Sequence, residues 1–219
     1  MGNADDRVLI VACGALAREI VALKRVNGWT DVDVQCLPPE LHNRPERIPG
    51  AVRDAIDAAR PNYREIFVAY ADCGTGGLLD PVLAEAGVER LPGAHCYEFF
   101  ATSAEFAALA DEEPGTFYLT DFLVRHFDRL VVRGLGIDRH PELAQEYFRN
   151  YRRIVYFAQS RDPALRTAAR EIAARMRLEY VERDTGYGDL ERRLVQWVGE
   201  RRERQTTSPR PMERAAWRR

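Results

Sequence analysis

The stretch that most constrains the fold is Glu65–Leu79, EIFVAYADCGTGGLL. Ile66–Ala71 is a short apolar run with β-branched and aromatic residues, the signature of a buried strand. Asp72-Cys73-Gly74 ends it abruptly, and Thr75-Gly76-Gly77 leads into the helical spacing of Leu78, Leu79 and Val82. The amino terminus repeats the design: Val8–Ala12 reads as a strand, Cys13-Gly14 ends it, and Ala15-Leu16 opens a helix. In open α/β sheets the carboxyl ends of the strands face the ligand crevice. Two strands that each finish in Cys-Gly therefore put two thiols on one edge of one sheet.

Further strands are expected at Val32–Leu37, Val88–Leu91, Thr116–Leu119, Ile154–Ala158 and Glu179–Glu182. Pro38-Pro39 opens a long loop, Glu40–Gly50, that carries Leu41-His42-Asn43-Arg44-Pro45. One helix is expected through Phe99, Phe100 and Phe106, and another, capped by Thr120 or Asp121, through Phe122, Leu123, Phe127 and Val131. Strands alternating with helices imply βαβ units. The expected fold is α/β, a single domain with a mostly parallel sheet of about six strands and helices on both faces. Residues 1–7 read as a polar leader and 8–199 as the α/β domain. Residues 200–219, with seven arginines against three glutamates, read as a basic, disordered tail.

A chain of 219 residues, 46% apolar and 30% charged, suits one soluble core. Its formal charge of −2 gives no pull toward nucleic acid. No signal-peptide pattern opens it, and no apolar run approaches the roughly 18 residues of a membrane span. A cytoplasmic protein is expected. In a reducing compartment its four cysteines are expected as thiols, metal ligands or catalytic groups rather than disulfides.

Cys13, Cys73 and Cys96 each stand at the carboxyl end of an expected strand or just after one, and are the candidate metal ligands. Three thiolates leave one position open on tetrahedral zinc, and they equally suit an iron–sulfur cluster with one substrate-facing iron. Gly14 and Gly74 let the backbone approach a bound group closely, and His42 in its proline-bracketed loop suits a lid; these three are the candidate cofactor-binding positions. Asp72, His95 and Glu98 are the candidate catalytic groups, for acid–base work or for orienting a ligand. Asp72 and Glu98 would serve equally well as helix caps. Cys36 lacks such a setting and reads as a core residue, and His126 reads as a structural residue within a helix. Asp184–Gly188 is glycine-rich but matches neither GxGxxG nor GxxxxGK[ST].

In these motifs and their surroundings the chain resembles the domain-of-unknown-function 1638 family from about Val8 to Val198. The resemblance rests on ACGAL at Ala12–Leu16, LPPELHNRP at Leu37–Pro45, YADCG at Tyr70–Gly74 and GAHCYEFF at Gly93–Phe100. PGTFYLTDFLVRHFD at Pro114–Asp128, GLGIDRHPEL at Gly134–Leu143, NYRRIVYFAQ at Asn150–Gln159 and TGYGDLE at Thr185–Glu191 complete it. What the resemblance implies is genomic company: corrinoid-dependent methyltransferases and their corrinoid proteins, systems that pass methyl groups to a zinc-bound thiolate.

The residues and the resemblance together lead to a metal-thiolate enzyme, with zinc or an iron–sulfur cluster, that transfers a methyl group to or from a thiol or corrinoid. Its partners would be a small-molecule substrate and a corrinoid protein or methyltransferase. Two other readings stay open: a non-catalytic accessory protein for a corrinoid or iron–sulfur partner, and a metal-free enzyme with a cysteine nucleophile and His95 as base.

Overall fold

The computed structural model describes residues 7–207. Its central strand is β1, Val8–Cys13, six residues that are all buried. β2 (Val32–Leu37) and β3 (Glu65–Ala69) flank it in parallel, and β4 (Glu89–Arg90) adds to β3, giving the order β2-β1-β3-β4. The crossovers are α1 (Ala17–Val26), α2 (Ile48–Ala59) and α3 (Leu79–Ala86). A second parallel sheet has the order β5-β6-β7, from Thr116–Thr120, Arg153–Ala158 and Glu179–Asp184. With it go α4 (Ser103–Glu112), α5 (Asp121–Phe127), α6 (Leu143–Phe148), α7 (Pro163–Met176) and α8 (Gly188–Thr207).

The parallel α/β architecture is as expected, with one refinement: the seven strands divide between two sheets. The reason lies at β4. Leu91 N donates a last ladder bond to Val68 O (3.1 Å), and Pro92, with no N–H, cannot continue the edge. The second sheet docks by its face instead. Tyr118, Val155 and Phe157 join the core of the first sheet together with Leu190, Leu194 and Trp197. Their neighbours Leu119, Ile154, Tyr156 and Ala158 point the other way, into a smaller core under α5 and α7.

Three local expectations change. The helix expected through Phe99 and Phe106 is a 3-10 turn, Cys96–Phe100, followed by α4, whose cap Thr102 accepts from Glu105 N at 3.0 Å. The helix capped by Thr120 leaves helical geometry at His126 (φ −118°, ψ 16°) and widens into a π turn over Asp128–Arg133. Cys36 is exposed rather than in the core, near the carboxyl end of edge strand β2.

The boundary expected at residue 199 falls inside α8. Arg201 is almost fully buried and pairs with Asp31 (2.6 Å) and Glu65 (3.8 Å), while Arg202 reaches the other oxygen of Asp31 (2.8 Å). A charged residue carries no apolar periodicity, so this anchor is invisible to pattern reading. The leader before Arg7 and the tail after Thr207 lie outside the described residues. No described helix is long and apolar enough to cross a membrane.

Burial pushes the Asp31 carboxyl up, but hydrogen bonds from Arg202 and Arg201 outweigh it and hold the pKa below its ordinary value. A depressed folded-state pKa gives stability that is present above the unfolded value, near 3.9, and lost as the pH falls through the folded one. Asp31→Asn should therefore lower the melting temperature at pH 7, with the gap to the wild type closing as the pH falls below about 3.9. Arg201→Ala should cost roughly 1.5–3 kcal/mol in urea titration at pH 7, the worth of hydrogen bonds to charged groups.

Candidate functional site

The strand order reverses about β1, since β2 lies on one side and β3 on the other. Such a switch point opens a crevice beyond the carboxyl ends of the two strands that diverge there. Cys13 is the last residue of β1, and a 3-10 turn, Gly14–Leu16, follows it. Beyond β3 the chain stays buried through Tyr70 and Ala71, then turns sharply at Cys73, a non-glycine residue at φ +51°. Asp72 N donates to Gly93 O (3.0 Å) and Cys73 N to Ala94 O (2.8 Å). These two bonds pin the 92–96 loop beside the β3 loop. Cys96 is thereby delivered to Cys73, with the sulfurs 2.9 Å apart. All three thiols are buried and free of disulfide bonds.

The remaining expected residues serve this cluster in ways their positions alone did not reveal. Asp72 accepts from Thr75 Oγ1 (2.5 Å), Gly77 N (2.8 Å) and Gly76 N (3.2 Å), so its carboxylate holds the turn after Cys73. The Thr75 hydroxyl, first among these partners, keeps it below the usual carboxylate range. Glu98 Oε2 accepts from Ala94 N (2.9 Å) and closes the loop that carries Cys96. Gly14 lies against the Leu37–Pro39 segment and Gly74 against the Pro45 ring. A Cβ on Gly14 would stand 2.9 Å from both Leu37 O and Pro39 Cδ, and one on Gly74 would meet Pro45 at 3.5 Å. Gly14 thus lets the start of the Pro39–Asn43 3-10 turn press against the segment that follows Cys13. That turn brings His42 to Cys73. Asn43 Nδ2 donates to Leu130 O (3.0 Å) in the π turn and fastens the turn to the second sheet's side of the molecule.

The electrostatics follow from the contacts. Cys96 is pushed far up because its thiol is donor to both Cys13 and Cys73, and by burial. Cys73 is brought down to about 5, first by Cys96 and then by His42, against the effect of burial. Cys13 is lowered, again chiefly by Cys96. His42 is raised by its pairing with Cys73, and His95 is lowered by burial. The Tyr70 phenol, buried beside the cluster, is pushed up by desolvation first and by Cys13 next. Cys73, the thiol brought down furthest, thus faces an imidazole whose charged form the pairing favours, with the neighbouring Cys96 thiol supplying a proton to share.

Three thiols and an imidazole are donors of the kind that zinc and iron–sulfur centres take. Their spacing is tighter than such a centre needs. Metal–sulfur bonds of about 2.3 Å set a tetrahedral edge of roughly 3.8 Å, so Cys73 and Cys96 would have to separate by about 0.9 Å. As the side chains stand, no group of three or more His, Cys, Asp or Glu among the described residues is set to hold a metal ion.

A cavity of about 370 Å³ lies against the cluster. Cys13, Cys96, His42 and His95 bound it on one side, and Tyr118, Phe122 and Leu130 are on the wall formed by β5, α5 and the π turn. Cys73 sits behind this surface. A larger, more open groove of about 940 Å³ surrounds the other end of β1, where Asp33 takes both Tyr63 and Arg7. Sequence reading missed Tyr70 and the aromatic wall, because those residues come from separate segments that only the packing unites.

Fold and site define a parallel α/β protein with a buried thiol cluster at its switch point and a cavity beside it. The chain belongs to the family described as protein of unknown function (DUF1638), whose model matches residues 36–194. The match takes in His42, Cys73 and Cys96, and Cys13 precedes it. No curated protein and no solved structure matches the chain.

Because a Cβ on Gly14 has no room, Gly14→Ala should destabilise the protein by about 1–3 kcal/mol in urea titration. It should also raise the alkylation rate of the native thiols, since the Pro39–Asn43 turn is forced away from them.

Proposed function

We propose that Cys13, Cys73 and Cys96, with His42 beside them, bind one thiophilic metal centre and that the protein is a methyl-transferring enzyme. Zinc is the first choice of metal and an iron–sulfur cluster the alternative. The observation that carries the reading is the meeting of three thiols from three separate segments, the end of β1 and two loops, beside a cavity. A bound metal would supply the positive charge that keeps a thiolate available as a nucleophile near neutral pH. The chain's own part is to hold the sulfurs through the braces at Asp72 and Glu98, to balance charge with His42, and to keep water from the reacting group. The cavity would take the small-molecule methyl donor or acceptor. The other methyl carrier, a thiol or a corrinoid on a partner protein, follows from the family resemblance. A non-catalytic accessory protein would use the same centre without turnover.

The metal-free reading has one observation of its own, the 2.9 Å contact between Cys73 and Cys96. Two sulfurs that close can share a proton without a cation, which would leave Cys73 as the nucleophile. His42 rather than His95 would then be its partner.

Protein purified without oxygen should carry about one zinc per chain or a coloured iron–sulfur cluster by elemental analysis and absorbance. Cys13→Ala, Cys73→Ala and Cys96→Ala should each cut the metal content by roughly half or more. The exposed Cys36 is the control, and Cys36→Ser should leave the content unchanged. Metal-free protein whose three cluster thiols are all alkylated in the native state would hand the lead to the nucleophile reading. Turnover with methylcobalamin and a small thiol separates an enzyme from an accessory protein.

A further inference from the structure

The cavity beside the thiols is unusual in what it lacks as well as in what it offers. Six aromatic side chains wall it: Tyr97, Phe100, Phe117, Tyr118, Phe122 and Tyr151. No Asp, Glu, Lys or Arg is among the described residues that line it. His42, His95 and the thiols keep the titratable groups to one side, so an ion on the aromatic side would lose its hydration with no opposite charge beside it, which is costly. A neutral ligand has no such penalty.

The rings already associate as rings do. His95, Tyr97, Tyr118 and Phe157 form a near-parallel stack, with successive centroids 4.8, 5.1 and 5.5 Å apart and planes tilted by 13°, 19° and 16°. Phe117 stands edge-on to Tyr151 at 5.4 Å. Both arrangements are those preferred between aromatic molecules, so a further ring finds compatible faces and edges on several sides.

Among the buried hydrogen-bonding groups that line the cavity, one is left over. Tyr118 is nine-tenths buried and lines the cavity, yet its hydroxyl has no hydrogen-bond partner. The Thr116 hydroxyl beside it is taken up by Glu113 O (2.5 Å) and Arg153 Nε (2.9 Å). A buried hydroxyl left unsatisfied is destabilising, and a ligand oxygen would relieve it. The volume, about 370 Å³, is near the lower end of the range for small-molecule sites.

We propose that this cavity binds a neutral, single-ring aromatic molecule bearing one hydroxyl or carbonyl oxygen, which pairs with the Tyr118 hydroxyl. This names the substrate class for the centre proposed above and rests on reading the cavity as that centre's substrate side.

The test uses the full chain purified without oxygen, with phenol, toluene, benzoate and tetramethylammonium as probes in calorimetric or ligand-observed NMR titration. Phenol should bind at one site and about fivefold more tightly than toluene, the worth of one neutral hydrogen bond. Benzoate and tetramethylammonium should bind more weakly than either. Tyr118→Phe should reduce phenol to the level of toluene while leaving toluene unchanged, a result that a merely structural defect would not give. Leu135→Trp, which fills the cavity from its wall, should abolish both. Equal phenol affinity in the wild type and Tyr118→Phe would overturn the proposal, as would tighter binding of either ion. Metal content measured on the same samples keeps the two ideas apart. Metal without phenol binding defeats this inference alone, and phenol binding without metal defeats the metal centre alone.

Discussion

Burial of β1 on both faces is the constraint on which the rest of the structure depends. Val8, Leu9, Ile10 and Val11 are each at most 3% exposed, and four such side chains contribute roughly 6–12 kcal/mol of gross burial free energy. That is comparable with the whole net stability of an ordinary domain, so the strand cannot be displaced without unfolding the protein. Because both faces are apolar, alternation cannot set its register; its ends do. Val8 N bonds to Asp31 O (3.0 Å) while Arg7 pairs with Asp33 at one end, and Cys13 stands opposite Leu37 at the other. Leu37 leads directly into Pro38-Pro39, so fixing β1 also fixes where the turn bearing His42 begins.

The thiol cluster is built by backbone as much as by side chains. β1 and β3 deliver Cys13 and the Cys73 loop to the switch point, and two main-chain bonds from Asp72 and Cys73 capture the loop with Cys96. The carboxylates of Asp72 and Glu98 then spend their hydrogen bonds on those same loops. A positive φ at Cys73 is a conformation that a non-glycine residue adopts at some cost. The surrounding bonds overdetermine it, as happens where a side chain must be aimed at a site.

Longer-range ties fasten the outlying segments to the first sheet. Trp197 of α8 packs on Phe67 at 4.7 Å, and Arg201 locks the same helix to the starts of β2 and β3. On the cavity side Asn43 reaches the carbonyl of Leu130 in the π turn. The turn carrying His42 is thus held from both the first sheet and the second, and the thiols are shielded without a separate lid.

The sequence by itself determined the elements and the convergence of the cysteines. Apolar runs such as Val8–Ala12 and Ile154–Ala158 are local signals, and the position of a thiol at the end of a parallel strand follows from topology alone. The same local reading could not distinguish a ligand-facing Gly14 from one that admits Pro39, nor a catalytic Asp72 from one that caps its own turn, since both pairs share a residue type and a position. Only the tertiary structure decided the division into two sheets, the pairing of His42 with Cys73, the burial of Arg201 and the assembly of the aromatic cavity. Each of these depends on contacts between segments far apart in the chain, whose free energies arise from packing and leave no periodicity in the residues that make them.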